Sequence, residues 1–210
     1  MTNIDDDTEI KVGDEVIERV DSYVYLGHKL KLGLDNQTAE IKRRIGLGWA
    51  AFGKLRTVFK SNMNNSLKRK VFDSCVLPVL TYGAETLTLT KASVNKLRVA
   101  QRAMERSMLG ISLRDKKTNE WIRQQTRVVD VMKRIASLKW NWAGHIARMT
   151  DERWTKTIMD WRPPTKRPVG RPPERWTNSI KRTAGTKWQQ VAMDRTRWKE
   201  LGEAYIQQWI

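Results

Sequence analysis

Thr38-Ala39-Glu40-Ile41-Lys42-Arg43-Arg44-Ile45-Gly46-Leu47-Gly48-Trp49-Ala50-Ala51-Phe52-Gly53-Lys54-Leu55-Arg56 is the stretch on which the fold turns. Ile41, Ile45, Trp49, Phe52 and Leu55 recur at steps of three and four residues, the period of one helical face. Lys42, Arg43, Arg44, Lys54 and Arg56 fall mostly off that stripe. The stretch is therefore predicted to be an amphipathic helix with one buried face and one basic face. The same period continues downstream. A second helix is expected over residues 65–77, ending near Pro78, with Val79-Leu80-Thr81-Tyr82 continuing past a kink as the alternative. A third starts near Thr90 or Ser93, carries Val94, Leu97, Met104 and Met108, and stops at Gly110.

Upstream, the period is that of strands. Ile10 and Val12 alternate with Lys11, Gly13-Asp14 is a turn signal, and Tyr23-Val24-Tyr25-Leu26 is β-prone and ends at Gly27. A small antiparallel ribbon is expected, too small to be stable without a surface to pack on. Downstream, Thr118 caps a short helix through Trp121 and Ile122. A longer helix then carries Val131, Ile135, Leu138, Trp142, Ile146 and Met149. Residues 161–173 hold five of the six prolines and read as an extended basic linker. Two helices close the chain, one stopping at Gly185 and one running from Thr186 with Trp188, Val191, Trp198, Leu201, Tyr205 and Trp209 near one stripe. The fold class is thus mainly α: a short N-terminal antiparallel β-ribbon (residues 1–35), a three-helix bundle (36–112), a helical region (113–160), a Pro/Arg-rich linker (161–175) and a C-terminal helical pair (176–210).

Charge narrows the class of partner. The chain carries 40 Lys and Arg against 23 Asp and Glu, a formal net charge of +17. Residues 1–35 hold four bases and nine acids, so the remainder carries +22. Self-repulsion on that scale disfavours a compact state unless an anion shares the surface, and nucleic acid is the commonest such anion. One cysteine, Cys75, excludes an internal disulfide framework, and its apolar neighbours predict a buried thiol. No stretch is long and apolar enough to span a membrane, and the acidic start does not resemble a signal peptide. The expected setting is intracellular, nuclear or cytoplasmic, without membrane partners.

Candidate chemistry is sparse. His28 and His145 have no ligand-like neighbour at short spacing, and a packed or capping role is expected for His145. Asp5-Asp6-Asp7 reads as an acidic terminus rather than a cation site. Gly170-Arg171-Pro172, with Lys166, Arg167 and Arg175 nearby, resembles the core of an AT-hook, whose arginine enters an A·T-rich minor groove. Val169 stands where a second arginine is usual, so a basic connector on phosphate and a plain hinge stay open as alternatives. Among the ten tryptophans, Trp49, Trp142, Trp188 and Trp198 are assigned to the core, and Trp140 and Trp161 are the candidates for base stacking.

Several segments, taken together, carry a resemblance. Tyr25-Leu26-Gly27, Leu77-Pro78-Val79-Leu80-Thr81-Tyr82-Gly83-Ala84-Glu85-Thr86 and Gln101-Arg102-Ala103-Met104-Glu105-Arg106 resemble the region after the catalytic palm of non-LTR (LINE-type) retrotransposon reverse transcriptases. So do Leu138-Lys139-Trp140-Asn141-Trp142-Ala143-Gly144-His145-Ile146-Ala147-Arg148-Met149, Gly170-Arg171-Pro172-Pro173-Glu174-Arg175-Trp176 and Ala192-Met193-Asp194-Arg195-Thr196-Arg197-Trp198. The resemblance implies that Tyr25-Leu26-Gly27 lies in the primer grip and that residues 38–110 form the thumb. It also implies that the region beyond the thumb engages element RNA or target DNA. Lys42, Arg43, Arg44, Lys54, Arg56, Lys166, Arg167, Arg171 and Arg175 are the expected nucleic-acid contacts. The family's polymerase centre uses a Tyr-x-Asp-Asp strand to hold Mg²⁺. That motif is not in this sequence, so no catalytic residue and no bound cofactor are expected, and a palm-bearing polypeptide is an expected partner. The alternative reading is a domesticated or host DNA-binding protein that uses Gly170-Arg171-Pro172.

Overall fold

The computed structural model describes residues 10–31, 36–151, 153–161, 170 and 174–209. The architecture is mainly α with short antiparallel hairpins at the N-terminal end. The expected ribbon is two separate hairpins. β1 (Lys11–Val12) pairs with β2 (Glu15–Val16), and β3 (Ser22–Tyr25) pairs with β4 (His28–Lys31), Tyr25 lying opposite His28. Both central residues of the second turn are left-handed, Leu26 at φ 46° and Gly27 at φ 74°. Such a turn matches the twist of a hairpin. Glycine adopts it freely, whereas leucine there costs about 1 kcal/mol.

α1 (Asn36–Lys54) buries Ile41 and Phe52 as the stripe requires, but Trp49 is 38% exposed. The inward line is Ile41, Arg44, Gly48 and Phe52. A β-carbon on Gly48 would sit 2.4 Å from Leu80 Cδ2, so backbone and side chain meet where only hydrogen fits. α2 (Arg56–Lys60) and α3 (Asn65–Val71) come next, with Asn64 capping α3 by accepting from the Leu67 amide at 2.9 Å. The kink predicted at Pro78 is a widened turn, residues Phe72–Val76, in which the Leu77 amide donates to the Phe72 carbonyl. Proline lacks an N–H and its ring crowds the carbonyl four residues back. A turn with one extra residue removes that clash and lets α4 (Leu77–Thr81) continue. This turn points Phe72 and Val76 inward and leaves Cys75 exposed, which corrects the buried thiol expected from its neighbours.

α5 (Lys91–Leu109) is capped by Thr90, whose hydroxyl accepts from the Ser93 amide at 3.2 Å, and ends at Gly110 with φ 68°. α6 (Asn119–Thr126) is capped by Thr118, and α7 (Val131–Ala147) by Asp130. α8 (Trp154–Asp160) was not expected from the sequence. α9 (Asn178–Ala184) stops at Gly185. The single last helix expected from Thr186 is two, α10 (Trp188–Val191) and α11 (Arg195–Gln207). Asp194 divides them, because its carboxylate accepts from the Thr196 and Arg197 amides and so starts a new helix.

α7 belongs to two cores. Its first turns, with Val131, Met132 and Ile135, join a cluster around Phe52, Phe59, Phe72, Leu80, Leu97 and Met104. Its second half, with Ala136, Trp140 and Ala143, joins a cluster around Ile180, Trp188, Trp198 and Tyr205. Trp140 is 2% exposed, so it is a core residue and not a stacking platform; its ring stacks on Trp198 with centroids 4.0 Å apart. Each indole N–H donates to the other tryptophan's carbonyl, at 2.8 and 3.2 Å. Trp188 and Trp198 are buried as expected, Trp142 is half-buried, and Trp161 is exposed. His145 is exposed too, and lies against the Trp142 ring.

A buried polar cluster joins α5, α6 and the start of α7. Arg102 donates to Glu105 at 2.5 Å and to Asp130 at 3.0 Å, Arg123 donates to Asp130 at 2.8 Å, and the Thr126 hydroxyl donates to Glu105 at 2.9 Å. Beside it, the Gln101 amide bridges the Val129 carbonyl and the Val131 N–H. Among the described residues, no helix is long and apolar enough to cross a membrane.

Candidate nucleic-acid interface

Glu40 organises the junction between hairpin and bundle. It is the single carboxylate between Asp35 and Asp73 in the sequence, and it is fully buried. A buried carboxylate needs several donors to offset its lost hydration. Arg44 Nε donates to its Oε1 at 2.5 Å, the Lys29 backbone N–H donates to its Oε2 at 2.7 Å, and His28 Nδ1 lies 3.8 Å away. Arg43 adds a weaker contact at 3.5 Å. Glu40 thus joins β4 to α1, taking the Lys29 backbone N–H on one side and the Arg44 guanidinium on the other.

The turn itself is held by its carbonyls. The Gly27 carbonyl accepts from Arg43 Nη1 at 3.0 Å and also from Arg44 Nη2. The Leu26 carbonyl accepts from the Tyr82 hydroxyl at 3.2 Å, and the Arg44 guanidinium lies over the Tyr82 ring, 4.6 Å from its centroid. A β-carbon at Gly27 would come within 3.4 Å of that ring. These contacts offset the cost of left-handed Leu26 and fix the tip on α1 and on the residue after α4. Tyr23, Tyr25 and Leu26 are left exposed, Leu26 at 76%.

The predicted contact residues therefore separate. Tyr25, Leu26 and Gly27 form one exposed, anchored tip. Lys42, Lys54 and Arg56 project from α1 and the start of α2 into solvent. Arg43 is half-buried and shared between the Gly27 carbonyl and Glu40. Arg44 is corrected from a phosphate contact to a buried structural cation, since its 5% exposure leaves no face for a phosphate. Its position is a matter of spacing: four residues after Glu40 on one helix face, it meets that carboxylate directly. Arg175 is exposed near α9, well away in sequence from the α1 bases. Lys166, Arg167 and Arg171 lie outside the described residues, as does Asp5-Asp6-Asp7. Among the described residues, no group of three or more His, Cys, Asp or Glu side chains is placed to hold a metal ion.

Sequence reasoning missed Glu40 and Tyr82 as anchors of the tip. A signal for Glu40 was present, as a lone acid four residues before an arginine in an otherwise basic stretch. None existed for Tyr82, whose partner is 56 residues away. Glu40→Gln keeps the shape but removes the charge. It is expected to lower stability by about 2 kcal/mol and to speed exchange of the Lys29 amide while α5 amides stay protected, as read by hydrogen exchange.

No protein-family model matches the chain, and no solved structure matches it. A protein of Caenorhabditis elegans named as transposon-derived, F52C9.6, is 36% identical over 196 residues, which covers 87% of this chain and 70% of that relative. At that identity and coverage the chain belongs to this family of transposon-derived proteins.

Proposed function

We propose that this chain is the primer-grip, thumb and post-thumb part of a non-LTR (LINE-type) retrotransposon reverse transcriptase, and that it holds nucleic acid through backbone phosphates. The observation that carries the reading is the anchored tip Tyr25-Leu26-Gly27, exposed yet fixed to α1 by Glu40, Arg43, Arg44 and Tyr82. A primer grip needs that combination, because a mobile tip cannot hold a strand end in register. The basic residues Lys42, Lys54 and Arg56 extend along the adjoining helix, where a duplex backbone would run. Ile10, Val12, Val16 and Ile17 on the ribbon are exposed, each by half or more, and fit a palm-bearing polypeptide that covers them. Polymerase chemistry belongs to that palm, so the chain alone is proposed to bind without extending a primer.

The test is a salt titration with a template–primer duplex, read by fluorescence anisotropy. With six or more phosphates neutralised, affinity is expected to fall about 10³-fold between roughly 50 and 200 mM salt. Lys42→Ala with Lys54→Ala is expected to flatten the slope by about two counterions. An affinity that barely changes with salt would overturn the proposal, as would Mg²⁺-dependent primer extension by the purified chain.

A further inference from the structure

A cleft of about 1150 Å³ opens between the start of α5 and α9, reaching the end of α11. Lys91 and Arg98 of α5, Lys139 of α7, and Arg175, Lys181 and Arg182 around α9 bring six cations to its walls. Glu174 is the carboxylate among the lining residues, and it is ion-paired with Arg182. The capped α5 N-terminus also faces this space through Thr88 and Thr90, adding the partial positive charge of the helix end.

Lys139 is the informative residue. It is 6% exposed and lines the cleft. Its Nζ lies 5.1 Å from the centroid of the Trp176 ring, and since no buried side-chain nitrogen among the described residues is left without a partner, the ammonium is presented to the water of the cleft. Burial lowers its pKa to about 8, opposed by Glu174 and assisted by Arg182. The stem is buried and the charged end meets the cleft, where an anion can replace water on it.

A second cavity, of about 490 Å³, lies beside the first. Trp142, Trp161 and Trp176 wall it, and Arg175 lines both spaces. Trp176 is fixed by its indole N–H, which donates to the Glu85 carbonyl at 2.6 Å. Cations on one side of Arg175 and indole rings on the other match the two halves of a nucleotide.

We infer that this pair of cavities seats one nucleotide of a single nucleic-acid strand, its phosphate on Lys139, Arg98 and Arg175 and its base against the tryptophans. The inference rests on the nucleic-acid reading above and adds a second, single-strand site remote in sequence from the hairpin tip. Occupancy replaces the water at Lys139 with an anionic acceptor.

The probe is a labelled single-stranded 12-nucleotide DNA, followed by fluorescence anisotropy alongside thermal melting. Lys139→Met is expected to weaken binding roughly tenfold or more while its melting temperature equals or exceeds that of the unaltered chain. Arg175→Gln, at an exposed position before α9, is expected to weaken binding likewise without a change in melting, and serves should Lys139→Met not fold. Lys139 faces Glu174, Arg182, Arg98, Arg175, Lys91 and Lys181, and single-strand affinity is expected to fall as pH rises through about 8, with Lys139→Met removing that step. Unchanged single-strand affinity in both variants overturns the site but leaves duplex binding and the thumb reading intact. Failure of the unaltered chain to bind either nucleic acid overturns both.

Discussion

Gly144→Val is expected to unfold the C-terminal core. A β-carbon at Gly144 would lie 2.4 Å from Trp198 Nε1 and 2.9 Å from its Cδ1, and at Gly202 the corresponding distances to Trp140 are 2.7 and 2.8 Å. The arrangement is reciprocal. Each helix carries a tryptophan and, four residues on, a glycine, and each indole lies over the other helix's glycine. Neither ring has room to withdraw, because both are stacked together and both indole N–H groups are held by opposing carbonyls. Overpacking a rigid site costs about 1–3 kcal/mol or more. Valine adds two further carbons here and breaks both hydrogen bonds, so a loss of about 4 kcal/mol or more is expected. Tryptophan fluorescence should shift to the red and the melting transition should split or fall, with the first core less affected. Gly144→Ala combined with Trp198→Leu should lose less than the sum of the two single changes, since the smaller side chain relieves the clash. Additive losses would show that the two residues do not share one packing unit.

Arg102→Met is expected to cost about 3–5 kcal/mol at neutral pH, because it leaves Glu105 buried without its main cation. Burial already pushes the Glu105 carboxyl above the usual carboxylate range, against the opposing pull of Arg102 and the Thr126 hydroxyl. A raised folded-state pKa means that folding takes up a proton in that window, so this group's contribution is most favourable at low pH and is lost as pH rises through the folded-state pKa. Removing Arg102 raises that pKa further. The penalty should therefore be smaller near pH 5 than near pH 8, as urea denaturation at the two pH values will read. Adding Glu105→Leu should recover much of the loss, since Asp130 retains Arg123 and an apolar pair suits a dry site. A penalty independent of pH would mean that Glu105 is not the group left uncompensated.

Both predictions concern features that the sequence showed only in outline. The helical stripes, the caps at Thr90 and Thr118 and the stops at Gly110 and Gly185 were legible, because each depends on residues within one turn of one another. The division at Asp194 was equally local and was overlooked in favour of a continuous apolar stripe. Trp49 and Trp140 went wrong in opposite directions for one reason. A stripe gives the angle of a side chain on its helix but not what lies across from it. Gly48 lets Leu80 approach on the inward line and Trp49, one residue on, is left partly exposed, while Gly202 opens a space that Trp140 fills.

The candidate site divides in the same way. Tyr25-Leu26-Gly27 was recognisable as a turn at the end of a β-prone run, and the bases of α1 as a charged face. That Arg44 turns inward, that Tyr82 anchors the tip and that Lys139 joins Arg98, Arg175 and Arg182 on one cleft all depend on pairs of residues far apart in the chain. The sequence by itself determined most of the long helices, the basic balance that favours an anionic partner and the resemblance to a retrotransposon protein. Tertiary structure alone decided which cations remain free for that partner. Burial and pairing are set by distances between elements, and those distances depend on small residues whose effect appears only when two helices meet.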